Sequence, residues 1–207
     1  MSSKDLIKQC VLSKIRSAIS NFIVLFDACV LYPAPLRDFL MNLAITDLFR
    51  AKWTDEIHDE WIRSLLKNRA DLAKERLYRI RDLMNSNVRD CLVSGYQDLI
   101  PSLTLPDEND RHVLAAAICT GADVIVTYNL SDFPAVTLGQ YGIEAQHPDE
   151  FINHLLDLAP SIICEAVKRQ RMSLKNPPLS VEELLAAYEK QNLAKTVAVL
   201  RLYNGLL

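Results

Sequence analysis

Two short runs of apolar, β-forming residues, about a hundred positions apart, constrain the fold of this 207-residue chain more than any other feature. Phe22-Ile23-Val24-Leu25-Phe26 is apolar at every position, so it reads as a strand over 22–26 buried on both faces. Val124-Ile125-Val126-Thr127 has the same character inside a strand expected over 123–127, and Gly142-Ile143-Glu144-Ala145-Gln146 reads as a shorter one. Strands of this kind separated by helical segments imply a parallel sheet with right-handed crossovers. Polar groups follow both strong runs: Asp27 after the first, and Asn129, Ser131 and Asp132 after the second. In open α/β sheets those C-terminal strand ends form the crevice where ligands and metals bind.

Helices are expected over 4–19, 36–49, 54–67, 69–85 and 110–120, with 98–105 as a short extended link. After Pro148 the pattern is helical only, over 149–157, 161–172, 181–191 and 193–204. Asn176-Pro177-Pro178 breaks that run, and Ser180 with Glu183 has capping-box spacing for a new helix. The chain therefore divides into an N-terminal helix (1–19), an α/β domain (20–150) and a helical C-terminal extension (151–207). Leu184, Leu185, Tyr188, Leu193, Val197, Leu200 and Leu202 supply that extension with an apolar face, which periodicity assigns equally to the interior or to a partner.

A hydrophobic fraction of 50% suffices for one sizeable core. The five cysteines are widely spaced and include no CxxC pair, which suggests neither a disulfide framework nor a zinc site and points to a reducing cytoplasm. The apolar runs are far shorter than the ~20 residues of a membrane span, and the polar N-terminus lacks a secretory pattern. No membrane association is expected.

Four acids stand out. Asp27 either caps a following helix or offers its carboxylate at the strand end. Asp107 suits an N-cap and Glu108 the first helical turn, whereas Asp110 adjoins the small-residue stretch that must pack closely on the sheet, with Gly121 as the helix stop. Glu60 lies in a helix capped by Thr54 with Ile57, Trp61, Ile62 and Leu65 as its apolar stripe; periodicity alone leaves it on a solvated acidic face. Asp132 completes the set. Carboxylates brought together repel one another and take up protons unless a divalent cation joins them, and Mg²⁺ suits an all-oxygen site. The four histidines share no metal spacing; His112 reads as a packed, hydrogen-bonded residue, and Trp53 and Trp61 as core anchors.

Taken in order, FDACVLYPAPLRDFL, the acidic helix around Glu60, LPDENDRHVLAAAI and GADVIVTYNLSDFP resemble the PIN-domain nucleases, in particular the VapC-like ribonuclease toxins of type II toxin-antitoxin pairs. The resemblance covers residues 20 to 150 and implies a three-layer α/β/α domain with a central parallel sheet. The all-helical extension resembles that of a subset of these toxins. It further implies an endoribonuclease, with tRNA among its candidate substrates, that holds Mg²⁺ or Mn²⁺ through Asp27, Glu60, Asp110 and Asp132. On this resemblance Asp27 and Asp110 ligate the metal, Glu60 ligates it or orients water, and Asp132 ligates it directly or through water. Thr127 and Asn129 then position phosphate or metal-bound water. A cognate antitoxin protein and a homodimer or toxin-antitoxin hetero-oligomer are implied as well. Two residues depart from the family pattern: Asn129, where many relatives carry Asp, and Cys29, where many carry Asn or Ser.

The net charge of −3 is unusual for an RNA binder, but distribution matters more than the sum. Between Arg63 and Arg81 seven basic residues stand against Asp71 and Glu75, and one helix is expected to carry them; Lys67, Arg69, Arg76 and Arg79 are the candidate phosphate contacts. Lys168, Arg169, Arg171 and Lys175 form a second basic cluster. Two other classes compete: a non-catalytic RNA-binding module with a degenerate metal site, and a phosphotransferase with Asp27 as nucleophile. The second lacks the Asp two residues on that such enzymes carry, because Cys29 stands there.

Overall fold

A computed structural model describes residues 22–207; the helix expected over 4–19 lies outside the described residues. The first apolar run forms β1 (Ile23–Phe26), and the chain turns at Asp27 into a single helical turn, α1 (Ala28–Leu31). Pro33 caps α2 (Ala34–Ala44). The helix expected over 36–49 thus starts earlier and ends five residues sooner, because a turn through Asp47 (φ 59°) leads into an unforeseen strand, β2 (Arg50–Lys52). Alternation explains it: Phe49, Ala51 and Trp53 are buried while Arg50 is exposed.

Then come α3 (Asp55–Asn68), capped by Thr54 accepting from the Ile57 amide, and α4 (Lys74–Asn87). Residues 69–73 form a turn between them, which shortens the helix expected over 69–85 and splits the basic run. Instead of one helix carrying it, Arg63 and Lys67 lie on α3, Arg69 in the turn, and Lys74, Arg76, Arg79 and Arg81 on α4. The link expected to be extended over 98–105 is largely a 3-10 segment, Gln97–Ser102. The core then resumes with α5 (Arg111–Thr120), stopped by left-handed Gly121 (φ 62°), β3 (Val124–Val126), α6 (Ala135–Leu138) and β4 (Glu144–Gln146).

All strand pairs are parallel, in the order β2-β1-β3-β4, and helices flank the sheet in the α/β/α arrangement. β1 and β3, both buried at the centre, pair in the register Val24↔Val124 and Phe26↔Val126. That register carries two consequences. Asp27 and Thr127 emerge side by side, each one residue past its strand, with the Asp27 amide donating to the Val126 carbonyl at 3.2 Å. The chain also runs outward from β1 to β2 and from β3 to β4, so the point where strand order reverses lies between these two residues.

The remaining elements are α7 (Pro148–Leu158), α8 (Pro160–Ser173), α9 (Val181–Glu189) and α10 (Ala194–Leu202). Ser180 and Glu183 form the expected capping box. The apolar face of the extension packs inward: Leu184, Leu185, Tyr188, Leu193, Val197 and Leu200 are at most 1% exposed, and only Leu202 points outward. Tyr188 stacks on Phe39 of α2 with ring centroids 4.7 Å apart, and its hydroxyl donates to Gln170, whose amide donates to the Pro35 carbonyl. Phe151 of α7 joins Phe26, Phe49 and Trp53 in one aromatic cluster under the sheet. Truncating a ring in such a cluster typically costs about 3–5 kcal/mol, so the extension shares the core's cohesion.

Candidate metal centre

Asp27 is 2% exposed and its carboxylate is clamped. Oδ1 caps α1 by accepting from the Ala28 amide at 2.6 Å. Oδ2 accepts from the Thr127 hydroxyl at 2.7 Å and from the Cys29 thiol at 3.0 Å. Asp27 thus caps α1 with one oxygen, the capping alternative of the sequence, while Thr127 and Cys29 hold the other. Burial pushes the Asp27 carboxyl above its ordinary value; the Cys29 and Thr127 hydrogen bonds oppose that rise and the Glu60 charge adds to it.

Thr127 itself is fully buried, and its hydroxyl accepts from the Asn129 amide at 3.0 Å while donating to Asp27. Its hydroxyl is therefore committed to Asp27 rather than turned to a ligand. Asn129 is exposed. Cys29, singled out in the sequence only as a departure, proves to be a junction: besides bonding Asp27, its sulfur accepts from the Tyr128 amide at 3.2 Å. Burial and the Asp27 charge push its thiol far up, so the sulfur stays protonated and donates.

Asp110 is the opposite case. It sits at the N-cap position of α5 after the short 3-10 turn Glu108–Asp110, yet its carboxylate makes no capping bond. Asp107, which precedes that turn, does cap it by accepting from the Asn109 amide. Asp110 is 9% exposed, and its Oδ2 is buried without a hydrogen-bond partner. Burial first, then the charges of Asp27, Asp107, Asp132 and Glu60, push its carboxyl up to about 7. The other three acids picked from the sequence thus all act on Asp110, from three separate segments.

Glu60 is half-buried on α3, with its Oε2 3.6 Å from His112 Nε2. Glu56, one turn earlier, lies 3.7 Å from His112 Nδ1 and accepts from the Tyr96 hydroxyl. His112 is packed, as expected; burial opposes its protonated form, and Glu60 and Glu56 more than offset that, so its pKa is raised. Glu56, not singled out in the sequence, shares the helix face of Glu60 through i,i+4 spacing. Asp132 is half-buried at the end of the 3-10 turn Leu130–Asp132, its amide bonded to the Asn129 carbonyl.

The donor chemistry fits a hard divalent cation: all the acids offer oxygen, one buried carboxylate oxygen has no partner, and the neighbouring charges raise the proton affinity of Asp110. Asp27 and Asp110 would hold it, with Glu60 and Asp132 beside them. Among the described residues no three His, Cys, Asp or Glu side chains converge into a ready-made cage.

The basic residues are not equivalent. Arg69 is locked to Asp71 by two hydrogen bonds at 2.8 and 2.7 Å, and Arg81 is paired with Asp82. Lys67, Arg76 and Arg79 are exposed and make no salt bridge among the described residues. Trp53 and Trp61 are core anchors, their indole N–H groups bonded to Asn85 and His58.

The pattern of the family described as "PIN domain" matches residues 23–131, and the chain belongs to that family. A second pattern, described as "VapC50 C-terminal domain", matches residues 148–202. The chain is 40% identical over 97 residues to a Mycobacterium tuberculosis protein named "Putative ribonuclease VapC50". That alignment covers 47% of this chain and 57% of the relative, so it spans little more than half the relative's length. No solved structure matches the chain.

Proposed function

We propose that this chain is a divalent-metal-dependent endoribonuclease, the toxin of a type II toxin-antitoxin pair. The observation that carries the reading is Asp110: a buried carboxylate with an unpartnered oxygen, pushed up to about 7 by burial and by four neighbouring acids. A structural acid would be bonded; this one is left for a cation. Membership of the PIN family and the likeness to a named ribonuclease support the same class.

The reaction is hydrolysis of an RNA phosphodiester: water attacks phosphorus, the bond to the leaving ribose oxygen breaks, and that oxygen takes up a proton. Mg²⁺ or Mn²⁺, when bound, supplies Lewis-acid charge at the phosphate and at the attacking water. Asp27 and Asp110 are the direct ligands in this reading, and Thr127 and Cys29 hold Asp27 in place. Glu60, steadied by His112, orients water or ligates. Asp132 acts directly or through water, and the exposed Asn129 contacts phosphate. Lys67, Arg76 and Arg79 track the RNA backbone; Arg69 contributes less because Asp71 already neutralises it. Residues 20–150 form the nuclease domain, with 1–19 and 151–207 attached. Transfer RNA is a substrate candidate, and a basic segment of a cognate antitoxin fits the acidic centre. A cytoplasmic homodimer or toxin-antitoxin hetero-oligomer completes the reading. Among the described residues no helix is long and apolar enough to cross a membrane.

The rival, a non-catalytic RNA-binding module with a degenerate metal site, draws on the absence of a preformed cage. Cleavage of total RNA and purified tRNA by the parent and by Asp27→Asn, each with Mn²⁺ or with chelator, decides between them. Fragments that require both the metal and Asp27 support the nuclease. RNA that is bound but left intact by a folded, metal-free protein supports the module.

A further inference from the structure

Three contacts run unbroken from the C-terminal helices to the carboxylate of Asp27, with a fourth bracing the path at Tyr128. Gln191 lies in the turn between α9 and α10, and its backbone carbonyl accepts a hydrogen bond from the Tyr128 hydroxyl at 2.8 Å. The Tyr128 ring packs edge-on against His147, with centroids 5.1 Å apart, at the start of α7. The Tyr128 amide donates to the Cys29 sulfur at 3.2 Å, and the Cys29 thiol donates to Asp27 Oδ2 at 3.0 Å. Tyr128 is one residue past Thr127, the other donor to that same oxygen.

The far end of this strap is itself anchored. Asp149 of α7 is 7% exposed, and its two carboxylate oxygens accept from the Lys195 and Thr196 amides at the N-terminus of α10. That ties α10 to α7, and the Gln191 amide bonds the Tyr188 carbonyl, which holds the turn to α9. Tyr128 is thus gripped at its hydroxyl by the extension and at its ring by His147 just before α7, while its backbone belongs to the loop that shapes the acidic centre.

We infer that the C-terminal helices are a working part of the centre, with Tyr128 the positioning residue through which they fix Asp27. The inference rests on the nuclease reading of that centre. Asp27 must present its carboxylate in one orientation, and Cys29 is the intermediate link that makes the orientation depend on where the extension holds Tyr128. Outer contacts of this kind govern metal affinity because they set the direction of the ligand's lone pairs.

The test compares full-length parent, Tyr128→Phe, Cys29→Ser, Cys29→Ala and the double variant Tyr128→Phe/Cys29→Ala. Mn²⁺ affinity is measured by calorimetry, kcat and KM on RNA, and amide exchange at Ala28 and Tyr128. Tyr128→Phe keeps the ring and is expected to weaken Mn²⁺ binding about three- to tenfold and to lower kcat by a similar factor. KM should stay within about twofold, since the RNA contacts are untouched. Cys29→Ser, which retains a donor and acceptor, should bind Mn²⁺ more tightly than Cys29→Ala. The double variant should be no worse than Cys29→Ala alone, as residues in one relay are not additive. Parent-like affinity and kcat in Tyr128→Phe, or losses that simply multiply in the double variant, overturn the inference. A parent with neither Asp27-dependent Mn²⁺ binding nor cleavage overturns the nuclease reading instead. Exchange then judges the strap by itself: faster exchange at Ala28 and Tyr128 in Tyr128→Phe upholds it, and unchanged exchange removes it.

Discussion

Two buried aspartates in this protein are treated in opposite ways. Asp149, in the C-terminal layer, accepts a backbone amide on each carboxylate oxygen at the start of a helix, where the dipole also favours its charge. Asp110, at the end of the sheet, is about as buried but leaves Oδ2 without a partner and has four other acids acting on it. One acid is satisfied by the fold; the other is left with an unpartnered oxygen.

The largest expected effect separates them by activity. Asp27→Asn and Asp110→Asn should each lower metal-dependent RNA cleavage by at least about a hundredfold, because each removes a charged ligand. Single-turnover cleavage at saturating Mn²⁺ measures this, and near-parental rates would sink the assignment of the centre.

Stability should separate them next, with opposite signs. Asp149→Ala leaves two helix-terminal amides without their acceptor and should cost about 1–3 kcal/mol in urea unfolding. Asp110→Asn in metal-free protein at pH 8 removes a repelled, unpartnered carboxylate and should be neutral or raise Tm by roughly 2–4 °C. Equal destabilisation by both would erase the contrast between a structural and a functional acid.

The pH dependence follows from the same residue. Asp110 has an ordinary carboxyl value of 3.8 when unfolded and about 7 in the fold. Between those values the folded chain holds a proton that the unfolded chain has released. Metal-free stability should therefore decline as pH rises from about 4 to about 7 and then level off. Metal competes with that proton, so Mn²⁺ affinity should climb across the same window. Asp110→Asn should flatten the Asp110 part of the stability slope, which thermal melts across the range will show.

The parts of this molecule that were legible in its sequence are those whose cause is local. β1 and β3 were readable because burial on both faces leaves an uninterrupted apolar run, and the helices after Pro148 because capping and periodicity agree. β2 was not: Arg50 and Lys52 sit on its solvent-facing side, and three residues are too few for alternation to outweigh a continuing helix. The break between α3 and α4 was hidden by a run of charge that crosses it. At the centre, the acids were found through their strand ends and through family resemblance, whereas the clamp on Asp27 was not. Thr127 and Tyr128 reach it only through the β1–β3 register, and Cys29 looked like a bare substitution. Pairings across a hundred residues leave no local trace.

The smallest effects belong to the basic residues, where the comparison moves from buried acids to exposed cations. Lys67, Arg76 and Arg79 make no salt bridge among the described residues, while Arg69 gives two donors to Asp71. Exposed pairs add little stability, so the pairing bears mainly on what Arg69 has left for phosphate. A cation free to neutralise a phosphate releases about one counterion on binding, and its loss weakens binding alike for every sequence. Lys67→Ala, Arg76→Ala and Arg79→Ala should each weaken RNA binding about two- to fivefold at low salt and make the salt dependence shallower by about one unit of slope. Arg69→Ala should change both by less, since Arg69 must first leave Asp71 to reach RNA, and Asp71→Ala should strengthen binding by releasing it. Filter binding across a salt series with catalytically silent Asp27→Asn protein separates these cases. A slope that shifts as much for Arg69 as for Arg76 would mean that the pair opens freely in solution and that all four cations form one surface.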